Sequence, residues 1–399
     1  MDLILFSKII STNSIYPNEQ ELGNYLCDYL ADLGFKTSKQ FIDKKYVENP
    51  QDISRFNVLA EKGEGNRSLL FYAHMDTVPI CDSELWKSNP LELVQNKNNP
   101  DIYNGLGTSD MKGGLYAILE AIKNINPIGY KIKVVFGCDE ENWSKGAYSL
   151  VNSNFLDDVV FGIVPEIGDT IESRESSDYN VLLGRRGRYL IKLEIPGKSC
   201  HGAVAYKLGI NAITQASIIA QEIDNKFQIT KKHNYFPYGN QFIKYINSET
   251  SSLSVPDKAT MYIDRHVLPG ETPESVLQET QYIVDNLYKK GKIKEIGGKK
   301  VKISFYERPT PASNAYEVSK ENKYLKIIEN SISKYYDSYK YGYGSSVADE
   351  NVIANYKNIP IITLGPIGGN EHSANEWVSI SSIEKLILIY KDLMINFKV

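Results

Sequence analysis

Read from its amino end, the chain alternates short apolar runs with stretches whose apolar residues recur every three or four positions. Leu22, Tyr25, Leu26, Tyr29, Leu30 and Leu33 fall on one side of a helix, and Gly34 follows as a stop signal. The runs 69–73, 131–136, 159–164 and 361–364 are short and apolar, and read as strands. Between them, 112–123 carries Leu115, Ile118, Leu119 and Ile122 at helical spacing, and 320–336 carries Leu325, Ile328, Ile332 and Tyr335. The alternation predicts an α/β sheet with helices on both faces.

From 187 to 307 the rhythm changes. A strand over 188–195 leads to a helix over 208–226, then to strands near 241–247 and 258–267. A second helix follows, with Thr272 as N-cap, Pro273 in the first turn and Val276, Ile283, Val284 and Leu287 on one face. A strand over 300–306 closes the series. The order β-α-β-β-α-β is the ferredoxin-like signature. It predicts a small domain over 187–307 inserted into a larger one made of 1–186 and 308–399, entered after Gly184-Arg185-Arg186-Gly187 and left before Pro309-Thr310-Pro311.

Composition narrows the function classes without choosing among them. At 399 residues, 42% apolar and 24% charged, the chain has the make-up of a globular protein with a sizeable core. A net charge of −4 and the lack of any Lys/Arg cluster leave no footprint for nucleic acid. The start, Met1-Asp2-Leu3-Ile4-Leu5-Phe6, lacks the basic flank and cleavage site of a signal peptide. No apolar run approaches the ~20 residues of a membrane span. Cys27, Cys81, Cys138 and Cys200 have neither zinc-type spacing nor the pattern of a disulfide framework. The expectation is a cytoplasmic protein that binds no membrane.

Five clusters carry candidate chemistry. His74 and Asp76 end the run 69–73; side chains two apart on an extended backbone share a side, so Asp76 is expected to orient the His74 imidazole towards a metal. Asp110 sits in Gly107-Thr108-Ser109-Asp110-Met111-Lys112-Gly113-Gly114, a small-residue turn before a helix. Asp139-Glu140-Glu141, Glu166 and His372 each follow a strand-like run. Ligands of open α/β sheets gather outside the carboxyl ends of strands, so these clusters can converge. A loop carboxylate is ordinarily just solvated and a lone histidine is ordinarily a surface or core residue. Five clusters in such positions together suit a pair of zinc ions sharing a bridging carboxylate, with one of two adjacent acids free as a base.

In order along nearly the whole chain, "HMDTVP", "GTSDMKGG", "DEE", "PE", "GKSCHGA", "GINAI", "PGE" and "EHSANE" resemble the motifs of co-catalytic zinc peptidases and deacylases. That family includes acetylornithine deacetylase, succinyl-diaminopimelate desuccinylase, aminoacylase and glutamate carboxypeptidase. The resemblance implies a zinc-peptidase-like catalytic domain, with the inserted domain driving homodimerisation. It implies two Zn2+ per subunit, with Co2+ or Mn2+ as alternatives. His74 and Glu166 would hold one ion, Glu141 and His372 the other, with Asp110 between them. Glu140 would be the general acid/base, Asp76 the orienter of His74, and His201 a residue lent to the partner subunit's site.

The chain departs from the family pattern at the substrate positions. His266 in "IDRHVLPGE" stands where many relatives carry an arginine for the substrate carboxylate, and Arg265 lies one residue earlier, on the opposite side of a strand. Ser254 stands where many relatives place an asparagine. The resemblance implies metal-dependent amide hydrolysis, with an N-acyl amino acid as the expected substrate. A dipeptidase or carboxypeptidase of the same family is the alternative, and a non-catalytic binding protein on the same scaffold a third reading. The acyl group and the amino acid are not specified by the sequence.

Overall fold

A computed structural model describes residues 1–168, 179–226, 233–234, 236, 239–249 and 253–398. These form two compact units, Met1–Arg185 with Tyr316–Val399, and Arg186–Ala315.

The first unit is built on a nine-stranded mixed sheet. Its order is Lys36–Phe41, Phe56–Gly63, Lys131–Gly137, Ser68–His74, Val159–Val164, Ile361–Thr363, Tyr179–Arg185 and Tyr316–Glu317, with Tyr339–Gly344 pairing beside Tyr179–Arg185. Ser68–His74 runs parallel to both its neighbours, and Ile361–Thr363 runs parallel to Val159–Val164. Every residue of Ser68–His74 is buried, the continuous apolar pattern of a strand covered on both faces. Helix Lys112–Ile122 is also buried at each residue; it packs on this strand and against helices Leu3–Ser11 and Ile380–Asn396. Its glycines make that possible. A Cβ at Gly114 would lie 2.0 Å from the Pro165 carbonyl oxygen, so only glycine lets the helix start abut the end of Val159–Val164.

The second unit carries a four-stranded antiparallel sheet in the order Asn240–Asn247, Lys258–Val267, Gly187–Pro196, Lys302–Phe305. Helices Ala212–Lys226 and Pro273–Lys289 complete the β-α-β-β-α-β order. Along Gly187–Pro196 burial alternates strictly, and Tyr189, Ile191, Leu193 and Ile195 pack with Ala216, Ile219, Val284 and Leu287 in one core. Thr272 caps the second helix by accepting from the Ser275 N–H.

Three boundaries differ from the sequence reading. The second unit runs on to Ala315 rather than ending at 307, because Ser313 pairs with Arg188 and Asn314 accepts the Tyr189 hydroxyl at 2.5 Å. The helix expected over 208–226 begins at Ala212; Ile210 exchanges backbone bonds with Lys198, and the Asn211 side chain accepts from the Ile213 N–H at 2.8 Å. The helix expected over 320–336 is only Leu325–Ile332. Ahead of it, the side chains of Ser319 and Asn322 accept the N–H groups of Glu321 and Tyr324, which diverts the backbone into turns.

Candidate metal centre

The parallel strands deliver their carboxyl ends to one place. His74 is the last residue of Ser68–His74; Glu140 and Glu141 follow Lys131–Gly137; Glu166 follows Val159–Val164. Asp110 sits in the turn before helix Lys112–Ile122, and His372 in the loop after the short strand Gly368–Gly369.

Asp110 faces both histidines. Its Oδ1 is 3.0 Å from His74 Nε2, and its Oδ2 is 3.2 Å from His372 Nε2. Around the first contact lies Glu166, with Oε1 3.9 Å from His74 Nε2. Around the second lies Glu141, with Oε2 3.1 Å from His372 Nε2. His74, Asp110 and Glu166 thus bring ligand atoms within 4.8 Å of one another, and so do Asp110, Glu141 and His372. Among the described residues, Glu140 groups only with His74 and Glu141.

The donor set fits divalent cations. Imidazole nitrogens and carboxylate oxygens are the ordinary ligands of zinc, and cobalt or manganese take them too. Hydrogen bonds to Asp110 and Glu141 push His372 up to about 11. Burial alone would lower His74, yet the Asp110 hydrogen bond and the charges of Glu140, Asp110 and Asp76 raise it well above the usual imidazole value. Protons on the two rings stand where positive charge is wanted, and a bound cation would release them. Burial raises Glu140 well above the usual carboxyl range and Glu166 to about 8, the latter against the pull of Arg185.

Asp76 acts differently from the expectation. His74 Nδ1 meets the Asp76 backbone carbonyl at 2.9 Å, while the nearer carboxylate oxygen is 3.9 Å away. The buried carboxylate instead accepts the N–H groups of Glu140 at 3.3 Å and Glu141 at 3.0 Å. The same loop is gripped from behind. Arg55, fully buried, donates to Asp139 and to Glu19 at 2.6 Å each, and Asp139 caps the Lys145 N–H at 2.9 Å. Asp139 itself has φ +72, a backbone that needs such support in a residue other than glycine.

Besides Arg55, sequence reasoning missed Arg185 and Glu376. Arg185 donates to both Glu166 and Glu350, and Glu350 also accepts Thr363 Oγ1 at 3.0 Å. Its signal was available: an arginine ending the apolar strand Tyr179–Arg185 requires a buried carboxylate partner. Glu376, in "EHSANE", is buried and bonds the backbone of the Asp110 turn. Burial and the charge of Asp110 raise its carboxyl, and those three N–H groups pull it back and favour the ionised form.

The remaining candidates belong to the second unit. His201 is exposed, its Nδ1 accepting the Ala203 N–H at 3.2 Å, and it pairs through a backbone bridge with Ser254. Arg265 and His266 point to opposite sides of Lys258–Val267, as their alternation requires. Arg265 is buried on the core side and bound to Glu271 at 2.7 Å and Glu279 at 3.3 Å, so its charge is committed within the unit. His266 stands on the other side, in register with Arg188, and both lie beside Asp264.

Residues 70–396 match the family described as Peptidase family M20/M25/M40. Succinyl-diaminopimelate desuccinylase of Rickettsia bellii is 26% identical over 413 aligned residues, covering 99% of this chain and 96% of that protein. Acetylornithine deacetylase of Photorhabdus laumondii is 25% identical, with 98% and 96% covered. Among solved structures, aminopeptidase PepT of Bacillus cereus superposes with a TM-score of 0.75 at 18% identity, covering 98% of this chain and 96% of that one. That likeness establishes the fold.

Proposed function

The chain belongs to peptidase family M20/M25/M40 and is a metal-binding hydrolase, and from that premise we propose that it cleaves the amide bond of N-acyl amino acids. The observation that carries the reading is Asp110, whose two oxygens face two histidines while Glu140 stays outside both Asp110-centred groups. On this reading His74 and Glu166 hold one zinc ion, Glu141 and His372 hold a second, and Asp110 serves both; cobalt or manganese are alternatives. When bound, such a pair supplies Lewis acidity, acidifying water and polarising the scissile carbonyl.

The residues divide the remaining work. Glu140 takes the proton of the attacking water and returns it to the leaving nitrogen as the carbon–nitrogen bond breaks. Asp76 fixes the backbone of Glu140 and Glu141 through their N–H groups. His201, from the second unit of a partner subunit in a homodimer, steadies the oxyanion. Full activity in a verified monomer would remove that last role.

Deacylation is favoured over dipeptide cleavage by two things. A glutamate stands at position 166, as in the deacylases and carboxypeptidases that the motifs resemble, and relatives named for desuccinylation and deacetylation align over nearly the whole chain. The test is amine release by zinc-reconstituted protein offered N-acetyl amino acids, N-succinyl amino acids and dipeptides. Turnover of an N-acyl series is expected. Turnover of dipeptides alone would make it a dipeptidase, and inertness towards all three with metal bound would reject the enzymatic reading.

A further inference from the structure

We propose that Glu376 is a positioning residue that sets metal affinity by holding the Asp110 turn in shape before any ion arrives. Its carboxylate is buried, with 2% of the residue exposed. Oε2 accepts the Gly107 N–H at 2.6 Å, and Oε1 accepts those of Ser109 at 2.7 Å and Asp110 at 2.8 Å. Its backbone carbonyl accepts the Gly105 N–H at 3.2 Å and Asn104 Nδ2 at 3.1 Å. One residue thus ties down the turn from 105 to 110, and one of these bonds is to the N–H of Asp110, the residue that faces both histidines.

The turn does not hold this shape by itself. Gly107 has φ +81, and a Cβ there would come within 2.8 Å of Thr77 Cγ2. A chain bent this way leaves several N–H groups pointing inwards, where each needs an acceptor. A carboxylate offers two oxygens and no donor, so it serves three N–H groups at once. Glutamine has one oxygen and an amino group, and at least one buried N–H would then face another donor and lose its partner. The turn must shift, and Asp110 with it. Nor can simple charge pairing explain the site, because the carboxylate sits behind another carboxylate and opposes its charge. Shape is what it supplies.

The inference rests on the reading of Asp110 as a shared ligand, and the experiment separates the two. Zinc affinity is measured on the full metal-free chain by competition with a chromogenic chelator, for the native protein and for Glu376→Gln, Glu376→Asp and Asp110→Ala. Glu376→Gln is expected to bind zinc about 10- to 100-fold more weakly, the range seen when groups supporting metal ligands are changed. Glu376→Asp, which keeps both oxygens, should fall between it and the native protein. Amide exchange in a peptide spanning 106–111 should quicken in Glu376→Gln. A purely structural role would lower the melting temperature and leave zinc affinity of the folded protein unchanged within twofold, and that result overturns the inference. If Glu376→Gln does not fold, Glu376→Asp decides: native affinity overturns, weaker affinity supports. Unchanged affinity in Asp110→Ala would instead overturn the ligand assignment beneath it.

Discussion

His74 and Asp76 stand two positions apart, and a period of two predicts a carboxylate against the imidazole. That rule holds only inside a strand, and the strand ends at His74. Beyond it the carbonyl of Asp76 meets the ring and its carboxylate meets the next loop. Asp76→Asn should therefore speed amide exchange at Glu140 and Glu141 and lower turnover by about tenfold or more, since the two N–H groups meet different carboxylate oxygens and one of them would face the amide NH2 instead. Unchanged exchange at those amides would return the carboxylate to the imidazole. Elsewhere the residue reading was direct. His74, Asp110, Glu141, Glu166 and His372 converge because each is a polar residue at the end of an apolar run or beside a small-residue turn. The strand of Arg185 showed that it needed a carboxylate partner but not which one, because Glu350 lies far away in sequence, and nothing local marked Glu376.

Among the elements, legibility followed burial. The strands 68–74, 131–137 and 159–164 were legible to within a residue because each carries a central apolar run and is buried along nearly its whole length. The inserted β-α-β-β-α-β unit was legible because its two central strands bury one face each and its two helices pack apolar residues onto that face. Boundaries failed where polar side chains compete for backbone groups. Ser319 and Asn322 shorten one helix, and Asn211 with the Lys198–Ile210 bridge delays another. The periodic pattern continues through both places, so hydrophobicity alone could not find the breaks. The order of the nine strands was not legible either. Neighbours such as Ile361–Thr363 and Val159–Val164 are separated by the whole second unit, and pairing at that range leaves no local mark.

For the whole molecule, partly or fully buried acids of two kinds set the response to pH. Lys145 with the N–H groups of Glu48 and Asn49, Ser379 and Ser381, Lys131 and Lys133, and Arg188 respectively hold Asp52, Asp101, Asp158 and Asp264 below the usual carboxyl range, in each case against burial. Their unfolded counterparts, near 3.9, take up protons first, so this stability is present above about pH 4 and is lost as pH falls through the folded values. Asp349 works the other way. Burial raises it to about 7, so the folded state keeps a proton that the unfolded chain has given up, and stability declines as pH rises from about 4 to 7. Glu19, Glu166 and Glu376, raised by burial to about 7, 8 and 8, act in the same direction as Asp349, so the metal-free protein should melt highest near pH 5 and fall both on the acid side and towards neutrality. Asp158→Asn should lower the melting temperature at pH 7 by a few degrees and shrink the acid fall. A melting temperature that is flat from pH 3.5 to 7 would contradict this account.

The central claim is that five residues bind a metal pair while Glu140 remains free to carry a proton. The most direct test is the metal content of Glu140→Ala protein reconstituted with zinc, taken on the sample whose turnover is assayed. The account predicts about two ions per chain, as in the native protein, and turnover reduced by about a hundredfold or more. Loss of metal in step with activity would place Glu140 among the ligands and contradict it.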